Sequence, residues 1–212
     1  MPSGLYSQSG QDAYVLSTFF SRITRPGFPA VFLDVGCNHP VKHSNSMFFE
    51  TYMGFRVLAV DALPTHRQSW AELRPQAEFV MTAVGEKEGS LDFEEILADG
   101  SQDDMFSSVR GASRKAPGTE RHVRTVPVVP LTKLLLDRGI HEVGIMSLDI
   151  EGYEMQALLG LDLAGVKVDI VMIENNSDDV LGDDRIRARM IGCGYEFVAR
   201  IWGMDDVFVR SS

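Results

Sequence analysis

The chain has 212 residues, a mass of 23.5 kDa and 44% hydrophobic residues, enough for one α/β unit with a full core and short for two. Its formal net charge of −10 disfavours nucleic-acid binding, which draws on clustered Lys and Arg. No run reaches the roughly 18 apolar residues of a membrane span, Met1–Tyr6 has no signal-peptide pattern, and Cys37 and Cys193 form no ligand-spaced cluster, so a cytoplasmic protein with reduced thiols is expected.

In chain order, a helix over Gln11–Phe20 opens the chain within an N-terminal cap segment, residues 1–28. Apolar runs at Val31–Val35, Arg56–Val60 and Glu78–Val84 then alternate with helix candidates at Ser46–Met53 and Pro64–Leu73. Residues 92–126 interrupt this alternation. Acids at Asp92, Glu94, Glu95, Asp99, Asp103 and Asp104 precede bases at Arg110, Arg114, Lys115, Arg121 and Arg124. The Gly, Ser and Pro among them predict an inserted charged loop, either a lid over the acceptor or a solvated surface. The alternation resumes with a helix at Leu131–Arg138, a run at Val143–Asp149, a helix at Tyr153–Leu159, a run at Val168–Ile173 and a helix at Asp184–Ile191. Tyr195–Ile201 and Asp206–Val209 lie too close together for a crossover helix and predict an antiparallel hairpin. The expected architecture is a single α/β domain over residues 1–212, a mostly parallel seven-stranded sheet with that C-terminal hairpin and helices on both faces.

Two runs end on acids, Val31-Phe32-Leu33-Asp34-Val35-Gly36 and Val57-Leu58-Ala59-Val60-Asp61, where parallel sheets gather ligands. A dinucleotide fingerprint needs two further glycines after Gly36; Asn38 and Val41 stand there, with Pro40 between. The turn suits a ligand with a ribose and an amino-acid tail and no pyrophosphate, which is S-adenosylmethionine. Asp61 would accept the ribose hydroxyls, and the alternative for Asp34 and Asp61 is a turn-capping role. Asp34, Gly36, Asn38, Asp61 and Ala62 form the expected cofactor set. Gln11 is placed over the amino-acid tail, Ala83-Val84 beside the adenine, and Asp103 or Asp104 at the adenine amine.

With those pieces placed, the chain resembles the FkbM-like methyltransferases. The matching segments are Ser7-Gln8-Ser9-Gly10-Gln11-Asp12, Asp34-Val35-Gly36-Cys37-Asn38-His39-Pro40 with Ser44-Asn45-Ser46, Val60-Asp61-Ala62, and Leu148-Asp149-Ile150-Glu151-Gly152-Tyr153-Glu154. Many members of that family carry a glycine-rich turn where this chain has Asn38-His39-Pro40. The resemblance implies a Rossmann-like class I methyltransferase fold and methyl transfer from S-adenosylmethionine to a hydroxyl of a sugar or natural product, with a small-molecule or glycan acceptor as partner.

A hydroxyl acceptor must lose a proton, through a general base or a divalent cation. Asp149 ends one run and Glu174-Asn175 the next, an arrangement similar to the magnesium site of catechol-type O-methyltransferases. Oxygen ligands favour Mg²⁺ or Mn²⁺, and the alternative is that Glu174 and Asn175 cap a loop. Asp149 and His39, with His43 behind them, are the candidate bases. Glu151, two residues past Asp149, faces the same side if the strand persists, whereas Glu154 reads as a helix-start acid. Two other readings stay open: a cofactor-shaped domain that binds a glycan or protein without turnover, and a nicotinamide oxidoreductase.

Overall fold

The computed structural model describes residues 5–97, 107–112, 120–175 and 184–211. The first half contains α1 (Gln11–Ile23), β1 (Val31–Val35), α2 (Met47–Met53), β2 (Arg56–Asp61), α3 (Arg67–Leu73), β3 (Glu78–Met81) and β4 (Ala83–Val84). There follow β5 (Gly89–Leu97), β6 (Ser108–Val109), β7 (Glu120–Val129), α4 (Leu131–Leu136) and β8 (Glu142–Leu148). The chain closes with α5 (Glu154–Leu159), β9 (Lys167–Glu174), α6 (Asp184–Gly192), β10 (Tyr195–Ile201) and β11 (Asp205–Arg210).

A seven-stranded sheet has the order β10-β11-β9-β8-β1-β2-β3. Neighbouring strands from β9 to β3 run parallel, but both pairings of β11 are antiparallel. The sheet is therefore mixed, which corrects the expectation of a mostly parallel one. The physical reason is the three-residue link Trp202-Gly203-Met204, which can only return the chain antiparallel to β10.

Side-chain alternation distributes this sheet between two cores. Phe32, Val57, Ala59, Ile145 and Ile170 pack with Val15, Phe19 and Ile23 of α1, Phe49 of α2 and Trp70 of α3. Their neighbours Leu33, Val35, Leu58, Val60, Met146 and Val171 pack with Leu131, Leu134 and Leu135 of α4, Ala157 and Leu158 of α5, and Ile186 and Met190 of α6. Each fully buried aliphatic or aromatic side chain contributes roughly 1.5–3 kcal/mol, so the sheet edge that carries the polar residues rests on a rigid base. Among the described residues no helix is long and apolar enough to cross a membrane.

Two sequence expectations change. The run Glu78–Val84 is two strands in two sheets: the Thr82 N–H still donates to Asp61 O (2.8 Å), while its hydroxyl donates to Pro127 O (3.1 Å) and Ala83 pairs with Val128. Residues 92–126 are not a plain loop. Within them lie most of β5 and β7 and all of β6, which with β4 form a second sheet in the order β4-β7-β5-β6. Leu91, Phe93, Val109, Val126 and Val128 of that sheet meet Leu63 and Ala83 in a third apolar cluster. Asp92, Glu94 and Glu95 of the acid block lie on β5, facing Arg121 and Arg124 on β7, with Arg121 on Glu94 (3.2 Å) and Arg124 on Glu95 (2.8 Å). Composition suggested loop because those charges hide a period-2 pattern, apolar at Leu91 and Phe93 and polar at Asp92 and Glu94.

Candidate functional site

From β1 the chain proceeds outward to β2 and β3, then crosses to β8 and β9 on the other side. The switch point of the sheet lies between β1 and β8, the usual place for a ligand crevice beyond the strand ends. Gly36 makes this junction close. Its φ is +78°, and a Cβ there would lie 1.6 Å from the carbonyl oxygen of Asp149. A cleft opens over the junction, bordered by Gln11, Asp34, Gly36, Asn38, Asp61 and Ala62 on one side and by Asp149, Glu151 and Glu174 on the other.

On the β1–β2 side, Asp34 is buried and its carboxyl is raised above the ordinary value by desolvation, against the pull of the Ser46 hydroxyl and Arg74. Its Oδ2 has no hydrogen-bond partner. Asp61 is locked by two backbone donors, Asn38 N–H to Oδ2 (2.9 Å) and Leu63 N–H to Oδ1 (3.0 Å). Asn38 holds a left-handed backbone, φ 42°, and its carbonyl accepts the Trp70 indole N–H (2.8 Å). Ala62, Leu63, Ala83, Val84 and Phe93 give the same side an apolar wall.

On the β8–β9 side carboxylates face one another. One oxygen each from Asp149, Glu154 and Glu174 fall within 4.8 Å of one another. Burial first and the charge of Glu174 second hold the Asp149 carboxyl well above its usual range. Burial, then Glu151 and Glu154, push Glu174 up to about 8; burial, then Asp149 and Glu154, push Glu151 up to about 8. Glu154 and Asp205 are raised too, mainly by burial. No basic residue is among the causes acting on Asp149, Glu151 or Glu174. Such a cluster of carboxyls with raised proton affinity in a cleft marks a candidate functional site.

Glu151 reaches the cleft by a different route from the one expected. β8 ends at Leu148, and Glu151 is turned inward by its own left-handed backbone, φ 55°, rather than by strand alternation. Glu154 Oε1 accepts the N–H groups of Ile150 and Gly152 (both 3.0 Å), so it fixes this turn as well as adding charge.

Two sequence candidates are placed elsewhere. Asn175 is not brought to Asp149 and Glu174: its amide donates to Asp206 Oδ2 (2.6 Å), a fully buried acid also held by Arg187 and Arg200. Side chains alternate along the extended chain, so the residue after Glu174 faces the other way. His39 does not border the cleft. Its Nδ1 accepts the N–H groups of Val41 and Lys42 (3.1 and 3.0 Å) and its ring packs edge-on against His66, which makes it a turn-holding residue. Asp103 and Asp104 lie outside the described residues. Gln11 lines the cleft as expected, with an unexpected partner: its amide donates to Asp205 Oδ2 (2.9 Å) and its carbonyl accepts Ser9 N–H (2.9 Å). Asp12 in turn accepts the Tyr6 and Ser7 N–H groups, so the Ser7–Asp12 segment is tied to the start of β11.

Sequence reasoning missed Asp205, Tyr153, Phe93, Val109 and Met204. Asp205 opposes Glu174 across the β11–β9 ladder, a signal available only once the hairpin register is known. Phe93 and Val109 reach the cleft because the second sheet folds over it.

A family model described as methyltransferase FkbM domain matches residues 34–197, which takes in Asp34, Gly36, Asp61, Asp149, Glu151 and Glu174. No curated protein and no solved structure matches the chain.

Proposed function

Because the chain belongs to the methyltransferase FkbM domain family, we propose that it moves the methyl group of S-adenosylmethionine to a hydroxyl oxygen of a sugar, glycoside or related natural product. The observation that carries this reading is the pair of unlike cleft walls meeting at Gly36 and Asp149. One wall carries a preorganised acid, Asp61, and a buried acid, Asp34, whose Oδ2 has no hydrogen-bond partner, beside apolar Ala83, Val84 and Phe93. The other carries Asp149, Glu151 and Glu174.

S-adenosylmethionine supplies a methyl group already activated on a cationic sulfur. The residues present suit it chemically: Asp61 for the ribose hydroxyls, Asp34 Oδ2 for a donor such as the amino-acid ammonium, the apolar wall for the adenine, and a negative cleft for the sulfonium charge. Asn38 and Ala62 border the ribose side, and Gln11 closes the tail. A pyrophosphate dinucleotide is a poor occupant, since the same carboxylates repel it.

The chemistry left to the protein is alignment and proton removal. Asp149 accepts the proton that the acceptor hydroxyl releases. Glu174 and Glu151 orient the acceptor through its remaining hydroxyls. A divalent cation, Mg²⁺ or Mn²⁺, fits between Asp149, Glu174 and Glu154, a hard oxygen set; when bound, it would lower the hydroxyl pKa. With a cation there, Asp149 and Glu174 would be its ligands and Glu151 would be the remaining carboxylate for the proton.

The test combines calorimetry with mass spectrometry. S-adenosylmethionine and its demethylated product should bind while nicotinamide dinucleotides do not, and a panel of glycosides should gain one methyl group. Runs with Mg²⁺ and with excess chelator separate the metal-assisted route from Asp149 acting alone. Absence of any S-adenosylmethionine binding by the folded protein overturns the reading.

A further inference from the structure

The tightest turn of the C-terminal hairpin carries the most exposed large apolar side chain described. Trp202 has 76% of its surface exposed. It also sits at φ 51°, followed by Gly203 at φ 72°, and the Met204 N–H donates to Ile201 O (3.0 Å). Positive φ at both central residues of such a turn is the arrangement that favours Asn-Gly or Asp-Gly; a bulky side chain at the first of them is disfavoured. The fold gains nothing visible from the indole, because burial is what makes tryptophan stabilising. A strained backbone and an exposed aromatic at one position are features found at ligand-contacting sites.

The tip is nevertheless rigid. Asn175 N–H donates to Met204 O (2.8 Å). The Arg200 guanidinium donates to Gly203 O (2.6 Å), Asn175 O (3.0 Å) and Asp206 Oδ1 (3.1 Å). It is also next to the cleft. Met204 lines it, and the following residue, Asp205, lies opposite Glu174 across the ladder. The hairpin tip therefore stands at the carboxylate end of the cleft, with Trp202 two residues before the lining residue Met204 and itself outside the lining.

We infer that Trp202 is an acceptor-binding residue whose indole face stacks against the C–H face of a neutral, polyhydroxylated ring while Glu174 and Glu151 accept that ring's hydroxyls. This rests on the methyl-transfer reading above and adds the specificity element to it. A ring with one apolar face and a polar edge is the shape that satisfies an aromatic plate and hydrogen-bonding carboxyl groups together. An acyclic polyol offers the plate no face.

The chain has two tryptophans, and Trp70 is only 1% exposed, so acrylamide quenching of the native protein reports on Trp202. The probes are methyl glucopyranoside and methyl rhamnopyranoside, with glucitol as the acyclic control, each titrated in the presence of the demethylated cofactor. The glycosides should shift the emission and protect it from acrylamide, and glucitol should not. With whichever glycoside gains a methyl group, Trp202→Ala should raise the acceptor KM roughly tenfold, leave the affinity for S-adenosylmethionine and kcat within about twofold, and be largely rescued by Trp202→Phe. Methyl transfer with an unchanged KM in Trp202→Ala overturns the role of Trp202 and leaves the methyl-transfer reading standing. Protection by glycosides without any methyl transfer does the reverse. Equal protection by glucitol overturns the requirement for a ring, and absence of both protection and transfer overturns both inferences for these sugars.

Discussion

In the second sheet Asp92, Glu94 and Glu95 meet Thr125, Arg110, Arg121 and Arg124 across the ladder, whereas at the edge of the first sheet Asp149, Glu151, Glu154 and Glu174 meet one another. The two groups come from the same residue types and face opposite fates. Exposed cross-strand pairs contribute about 0–1 kcal/mol each and serve mainly to match strands. Buried, unneutralised carboxylates lower stability at neutral pH, so their presence marks the edge of β8 and β9 as a place kept for chemistry.

The sharpest contrast comes from Asp149. Asp149→Asn removes charge and keeps shape, so turnover should fall by about 10²–10⁴-fold with cofactor affinity nearly unchanged and thermal stability at pH 8 equal or higher. Calorimetry, kinetics and a melting curve of one variant check all three. Retained turnover would put Asp149 with the structural acids.

Asp61 divides the cofactor wall from the acceptor wall. Asp61→Ala should weaken S-adenosylmethionine binding by about 1.5–3 kcal/mol, roughly ten- to 150-fold, measured by calorimetry on protein whose circular dichroism matches the parent. An unchanged Kd would remove Asp61 from the site.

The pH response of stability distinguishes the sheets directly. Glu151 and Glu174 titrate at about 8 in the folded chain against an ordinary 4.5. Between those values the folded state holds protons that the unfolded state has released, so stability contributed by these groups is complete below about pH 4.5 and is lost as pH rises to 8. In chelator, Tm should fall across that window, and Glu151→Gln with Glu174→Gln should flatten the slope. A Tm from these groups that rises with pH would contradict the burial of their charge.

The smallest effect belongs to the second sheet. Arg121→Ala should cost no more than about 1 kcal/mol in a denaturant melt and leave methyl transfer unaltered. A raised acceptor KM on replacing Arg121 and Arg124 together would break the contrast and return these strands to the lid role. Arg114, the other base in that role, lies outside the described residues.

Much of the first sheet was legible in sequence because its strands are buried on both faces and read as continuous apolar runs, as in Val168–Ile173. Asp34, Asp61, Asp149 and Glu174 were legible as site candidates because each closes such a run, and strand ends share an edge. The second sheet was not, since it is polar on one face and its two long strands are far apart in sequence; Arg121 finds Glu94 only through the ladder. His39 and Asn175 misled for a related reason. Their residue type suited the chemistry, but the hydrogen bonds that aim His39 at its own turn and Asn175 at Asp206 are contacts of position, which composition does not carry.

By itself, then, the sequence determined the α/β alternation, the closing hairpin, the acids at the strand ends and the family, because these depend on local periodicity and on residues close together along the chain. Only the tertiary structure decided which acids face one cleft, that Gly36 lies against the Asp149 carbonyl, that Asp205 lies opposite Glu174, and that Trp202 stands exposed at the hairpin tip. Those outcomes depend on strand order and register, and a one-residue change of register sends each side chain to the opposite face.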